Sequence, residues 1–359
     1  MPCPFSNSIG KPLPPSIKPP AVSVPTLLAE GTSNVCGTVP SLWAHAGLEA
    51  ALASRTAYAP LVVAHRSGAG EFPENTIAAL RYSHMTGACF SQIEVVAAKD
   101  GTPMVMQDPN LKRLTGIDKS IHDFLPADVP PLLPKVAWYV NGFEDEEEIS
   151  TLAYPDDGRR IATLKDYLLE AKKLGMPCFV EPFEGEKEFV RRVAQDIINT
   201  QMEKQVVVGH PGDSHIQSAL AAMLPETPLL MTAREAVWLG LLFRLGVLQE
   251  WPELVPKRRV LNCLKANEFF QRICDFTAVP VSMRWIIWGF GLVCDWLVWR
   301  RDFLAFLSKH GIPSVAFILN DSKDWDKAAS VGVTAVMTDF PHRCQQHMVY
   351  RKMYPTMFS

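Results

Sequence analysis

The chain has 359 residues, 48% of them hydrophobic and 20% charged, with a formal net charge of -3. That length accommodates one large α/β core with extensions, and the near-neutral charge gives no electrostatic basis for a nucleic-acid partner. Eight scattered cysteines lack CxxC spacing, which argues against a zinc site or a small disulfide scaffold and for free, mostly buried thiols.

Residues 1–40 begin with eight prolines in the first 25 positions and contain no continuous apolar core of signal-peptide length. They read as a Pro-rich disordered arm, followed by a short helical lead-in over 41–59. The expected location is therefore cytoplasmic, or peripheral on an intracellular membrane.

From residue 60 onward, short runs rich in Val, Ile and Phe recur: PLVVAH (60–65), FSQIEVVAA (90–98), PMVMQD (103–108), PCFVEPF (177–183) and QVVVGH (205–210). PLLMT (228–232), RRVLNC (258–263), PSVAFIL (313–319) and TAVMT (334–338) continue the series. Runs of this length bounded by Gly or Pro read as buried parallel strands. ENTIAALRYSHMTG, TLKDYLLEAKKLG and SHIQSALAAML, which lie between them, carry apolar residues at helical spacing. Nine strands alternating with helices predict a TIM (β/α)8 barrel over 60–345, with one extra hairpin or extension and a tail over 346–359. The acidic run EDEEE (144–148) reads as a solvated loop insertion, and His84 and His122 as surface histidines.

An apolar helical insertion is expected over 236–300. Its two segments, AVWLGLLFRLGVL (236–248) and VPVSMRWIIWGFGLVCDWLVW (279–299), are interrupted by Arg244, Arg284 and Asp295, so neither is read as a transmembrane helix. Tryptophans 285, 288, 296 and 299 beside Arg300 and Arg301 suit a helix lying in a membrane interface; packing against the outside of the barrel is the other reading.

In a TIM barrel, chemistry gathers where strands end at the C-terminal face. That rule selects His65, Arg66, Glu94, Gln107, Asp108, Glu181, His210, Thr338 and Asp339. The same residues fall in blocks that resemble a known family, the glycerophosphodiester phosphodiesterases. AHRSGAGEFPENTIAAL is similar to that family's A-H-R-G and P-E-N-T, and KDGTPMVMQDPNLKRLTG to its K-D-G, H-D and L-x-R-x-T-G. FILNDSKDWDKAASVGVTAVMTDFP resembles its W-T-V-N, G-V and T-D-x-P ending. The apolar insertion is most similar to the membrane-associated branch that cleaves lysophospholipids in a lysophospholipase D manner.

The resemblance implies a barrel that hydrolyses phosphodiesters with two histidines and one divalent cation, Mg2+ or Ca2+. Carried onto this chain, it gives His65 as a catalytic group, Arg66 as a catalytic and phosphate-binding group, and Glu74, Asn75 and Phe317 as substrate-binding positions. Counting back from Lys99 and Asp100 places the family's E-x-D metal pair on Gln92 and Glu94, and Glu181 matches its later carboxylate. The second histidine falls on Gln107, which does not titrate, and His210 is either its substitute or an ordinary strand-end histidine. Ser67 replaces the glycine after H-R, Phe183 a lysine, and Phe317 a tryptophan.

The expected function is metal-dependent hydrolysis of glycerophosphodiesters or lysophospholipids, on a small-molecule or lipid substrate at a membrane surface. The alternative is a lipid- or phosphoester-binding barrel that has lost turnover, which Gln92 and Gln107 motivate.

Overall fold

The computed structural model describes residues 59–140, 143–150, 158–264 and 281–353. The arm over 1–40 and most of the lead-in over 41–59 lie outside them. The strands are β1 (Leu61–Ala64), β2 (Phe90–Ala97), β3 (Pro103–Val105), β4 (Lys135–Val140), β5 (Phe143–Ser150), β6 (Cys178–Pro182), β7 (Val206–Val208), β8 (Leu229–Leu230), β9 (Arg259–Leu264), β10 (Ser314–Phe317) and β11 (Ala335–Thr338).

All nine expected runs form strands. Eight are parallel neighbours in the order β1-β11-β10-β9-β8-β7-β6-β2, and β1 pairs with β2 to close the barrel. The ninth, β3, lies antiparallel on β2 with Val95 opposite Val105, and supplies the extra hairpin that the strand count called for.

The principal helices are α1 (Ile77–Met85), α2 (Leu164–Leu174), α3 (Lys187–Asn199), α4 (Ser214–Met223), α5 (Ala233–Arg244), α6 (Val281–Val298), α7 (Arg301–Lys309), α8 (Ser322–Val331) and α9 (Pro341–Met353). Local chemistry sets several of their ends. Thr163 accepts the Asp166 N–H at the start of α2, and left-handed Gly175 ends that helix. At the start of α5, Thr232 and Glu235 form a reciprocal capping box.

Two sequence expectations change. The acidic run is not a loop: it lies in β5, paired antiparallel with β4 so that Ala137 faces Glu148 and Tyr139 faces Glu144. Its charges do not prevent this, because a two-stranded ribbon can leave one face in water. Asn141-Gly142 between the runs is the sequence signal for such a hairpin. At the C-terminus the chain continues as α9 past residue 345, through Met353.

The first backbone N–H groups of α9 are received by Glu71, with His342 N donating to Oε2 at 3.0 Å and Arg343 N to Oε1 at 3.1 Å. Burial nonetheless pushes the Glu71 carboxyl up, from 4.5 to about 7, against the opposing pull of those two N–H groups. The native state therefore holds a proton there that the unfolded chain has lost. The resulting stability is complete below about pH 4.5 and disappears as pH rises through about 7. Urea midpoints of the wild type should carry a declining component across that window, and Glu71→Gln should remove it.

Side-chain alternation builds the site. Val63, Phe90, Phe179, Leu230, Val260 and Met337 point into the barrel, while Val62, Val180, Val206 and Leu261 face the helices. Two residues further along each strand, the inward position at the C-terminal mouth belongs to His65, Gln92, Glu181, Thr232, Asn262 and Asp339, with Glu94 one step beyond Gln92.

Candidate active site

The turn after β1 is held in an unusual backbone conformation. Arg66, Ser67 and Gly68 have φ of 46°, 65° and 98°. Ser67 thus occupies a left-handed conformation that suits glycine, and its hydroxyl lies 2.7 Å from the Tyr167 hydroxyl. Tyr167 also meets Ser91 at 2.8 Å, so one buried phenol ties the turn to β2. Tyr167→Phe should lower stability by ~1 kcal/mol without changing the fold, as denaturant titration would show.

His65 is almost fully buried, and its Nδ1 is 2.6 Å from Asp339 Oδ1. A neutral imidazole facing a carboxylate in this way carries its proton on Nδ1, leaving Nε2 as the proton acceptor. Asp339 is itself fixed: Asn320 Nδ2 donates to its other oxygen at 2.7 Å, and its backbone N–H donates to Asn320 Oδ1 at 3.0 Å. Phe317 stands edge-on to the His65 ring at 5.7 Å between centroids.

Arg66 turns towards acids. Its Nε is 3.1 Å from Glu94 Oε2, its Nη1 is 3.7 Å from Glu74 Oε1, and its backbone N–H donates to Gln92 Oε1 at 2.8 Å. Nη1 makes no hydrogen bond within the protein. Glu74 is held more tightly by Arg113, through Nη1 at 2.9 Å and Nη2 at 2.7 Å. Burial works against ionisation of Glu74, but the charges of Arg113 and then Arg66 outweigh it and keep the carboxyl below its ordinary value. Asn75 adjoins this group through its backbone bond to Arg66 O at 2.8 Å, and both polar atoms of its side chain are buried without a protein partner.

Glu94 and Glu181 are direct neighbours in the parallel β2–β6 pair, where strands lie about 4.8 Å apart. Burial first, and the charge of Glu94 second, push the Glu181 carboxyl up to about 8. Glu181 Oε1 is buried and lacks a hydrogen bond, and Glu94 Oε2 has only the nearby Arg66.

Glu181 Oε1, without a partner, and Glu94 Oε2, paired only with Arg66, are oxygen donors of the kind a hard cation takes, so the pair fits a divalent ion. Gln92 fits less well, because its carbonyl oxygen already accepts from Arg66 N and brings no charge. Among the described residues, no group of three or more His, Cys, Asp or Glu side chains is gathered in metal-ligating geometry. The set present is two carboxylates and one amide oxygen. Gln92→Glu should tighten Mg2+ or Ca2+ binding by about tenfold or more, read by calorimetry on the protein without substrate.

The remaining expected residues divide. Gln107 follows β3, and its Oε1 is buried without a hydrogen-bond partner. His210 is half-buried, meets Phe183 edge-on at 5.2 Å and accepts the Gly212 N–H at 3.2 Å; these contacts hold it beside the end of β6. Burial lowers its pKa, although Asp213 opposes the shift. One residue outside the expected set, Arg113, and one inside it whose role was not foreseen, Asp339, are central. Arg113 organises Glu74 and also holds Asp108, with Nε 2.6 Å from Oδ2. Asp339, seen in the sequence only as a polar strand-end residue, proves to be the partner of His65. The L-x-R-x-T-G and T-D-x-P blocks were the signals for both.

The geometry agrees with comparisons to known proteins. The profile of the glycerophosphoryl diester phosphodiesterase family matches residues 65–343. Human lysophospholipase D GDPD3 is 26% identical over 285 residues, covering 79% of this chain and 84% of that one. Human lysophospholipase D GDPD1 is 24% identical over 286 residues, covering 80% and 85%. Among solved structures, a glycerophosphoryl diester phosphodiesterase from Silicibacter pomeroyi superposes with a TM-score of 0.56 at 16% identity, covering 84% of this chain and 97% of its own. An Oleispira antarctica phosphodiesterase in complex with the product sn-glycerol-3-phosphate does so with a TM-score of 0.53 at 20% identity, covering 81% and 98%. With the match extending from His65 to Arg343 and taking in every strand-end residue described above, the chain belongs to the glycerophosphoryl diester phosphodiesterase family, whose members are phosphoric diester hydrolases.

Proposed function

We propose that this barrel hydrolyses the phosphodiester of glycerophosphodiesters or lysophospholipids, with His65 moving the proton and Arg66 binding the phosphate. The observation that carries this reading is the buried His65–Asp339 pair at 2.6 Å beside Arg66, whose Nη1 is without a protein hydrogen bond. In this reading, Asp339 holds Nδ1 so that Nε2 takes a proton from the attacking water, and a P–O bond forms as the bond to the headgroup oxygen breaks. Arg66 and Asn75 offer unpartnered polar atoms to the non-bridging oxygens of the phosphate. Glu94 and Glu181, with the amide oxygen of Gln92, would hold a divalent cation, which when bound neutralises charge developing on the phosphate.

Gln107 stands where the family's second histidine falls, so His65 would also return its proton to the departing alkoxide. Action at a membrane surface is part of the proposal. No helix among the described residues is long and apolar enough to cross a membrane, but α6 exposes Ile286, Val293 and Trp296 on one face. The helix packs on α5, where Gly240 leaves room for Leu297.

The test is release of headgroup alcohol from lysophosphatidylcholine and glycerophosphocholine in the presence of Mg2+ or Ca2+, with phosphorus NMR identifying the phosphate product. Wild-type turnover is expected, with Gln107→His raising it by about tenfold. Absence of turnover in the wild type that appears only in the Gln92→Glu, Gln107→His double variant would replace this reading with that of a ligand-binding barrel.

A further inference from the structure

A cavity of about 870 Å3 lies away from the catalytic cluster, between α4, α5, α6 and the ends of β8 and β9. In the sheet order, β8 is four strands from β1 in either direction, so this cavity borders the wall of the barrel mouth opposite His65. Its walls are mainly apolar: Ala236, Val237 and Trp238 come from α5, and Phe290, Cys294 and Val298 from α6. Polar side chains line it too: Gln217 from α4, Arg234 and Glu235 from α5, and Arg259 from β9, whose Nε lies 3.4 Å from Glu235 Oε1. Thr232 and Asn262 occupy inward positions at the strand ends, and Asn262 Oδ1 is buried without a hydrogen bond. Its size falls within the ~300–1,000 Å3 of ordinary ligand pockets, which likewise combine a predominantly apolar surface with polar groups.

From these observations we infer that the cavity holds the single acyl chain of a lysophospholipid while its phosphate sits at Arg66. The inference rests on the proposed action on lysophospholipids and names the part of the substrate that the catalytic cluster leaves unaccounted for. A monoacyl glycerophospholipid presents a phosphate, then a glyceryl unit with one free hydroxyl, then an apolar chain. The mouth offers these in the same order: the Arg66 guanidinium, the unpartnered acceptor of Asn262, then the chamber walled by α5 and α6. Phe290 lines the chamber and is itself 55% exposed, and Trp288 and Trp296 lie on the same helix, so the entrance adjoins an apolar surface suited to a lipid interface. A headgroup diester without a chain would leave the chamber unused.

The experiment measures binding of monomeric lysophosphatidylcholines of increasing chain length by calorimetry, together with turnover of both a lysophosphatidylcholine and deacylated glycerophosphocholine. Affinity should rise by about threefold to fourfold per added methylene until the chamber is full. Val237→Trp, and independently the more exposed Ala233→Trp, should weaken long-chain binding by tenfold or more and raise KM for the lysolipid, with glycerophosphocholine turnover unchanged. The inference is overturned if affinity does not depend on chain length, if both variants bind like the wild type, or if Trp296→Asp on the outer face of α6 abolishes the chain-length dependence while the chamber variants keep it. Chain-length-dependent binding that the chamber variants remove, without turnover of either diester, would end the hydrolase reading and leave the chamber assignment standing. Turnover of both diesters with unaffected chamber variants would do the reverse.

Discussion

His65→Ala should lower turnover by about 10²- to 10⁴-fold, the usual range for removing a general acid-base group, with little change in KM. Neither of the expected substitutes is placed to take over. His210 is held against Phe183 and Gly212, and Gln107 carries an amide. The fold should tolerate the change, because Asp339 keeps Asn320 as a partner at 2.7 Å. Asp339→Asn is the sharper variant. An amide facing Nδ1 can present its own N–H and drive the imidazole proton onto Nε2, which removes the base while leaving the ring in place; the loss should again reach up to about 10⁴-fold. Steady-state kinetics with a soluble glycerophosphodiester reads both. Undiminished kcat in His65→Ala would remove the imidazole from the chemistry.

The strands were legible because each is a compact apolar run closed by Gly or Pro, and burial on both faces demands that composition. Placement of His65, Glu94 and Glu181 at one mouth was legible as well, since strand-end position follows from the chain alone, while Gln92 was located only through the family's E-x-D spacing. Their partnerships were not. His65 and Asp339 are 274 residues apart and become neighbours only because β1 and β11 close the barrel, with Ala64 beside Thr338. Arg113 sits in a short helical turn after β3, and only the packing of that turn against the 65–75 loop and β4 brings it to Glu74 and Ala137 O. The β4–β5 hairpin was obscured by five consecutive acidic residues, whose charge suggested a solvated loop, while the adjoining Asn-Gly carried the contrary signal.

Arg113→Met should destabilise the protein by ~3–5 kcal/mol, the expected cost of breaking a buried ion pair by removing one partner. The side chain is 4% exposed, and its guanidinium serves both oxygens of Glu74, one of Asp108 and the carbonyl of Ala137. Without it, Glu74 retains only Arg66 at 3.7 Å, too long for a hydrogen bond. Lysine cannot substitute, because a single ammonium on a flexible stem does not reproduce a planar fork that reaches two carboxylates and a carbonyl together. Arg113→Lys should therefore recover little of the loss, whereas adding Glu74→Gln to Arg113→Met should recover part of it by removing the stranded charge. Urea unfolding of the single and double variants measures the coupling; a loss below ~1 kcal/mol would reduce the pair to the standing of a surface salt bridge. The same variant bears on the chemistry. Arg66 is shared between Glu74 and Glu94, and under the proposed phosphate-binding role of Arg66 a Glu74 released from Arg113 would compete for it with the substrate. The folded fraction of Arg113→Met should accordingly show a raised KM at a kcat set by the unchanged His65–Asp339 pair.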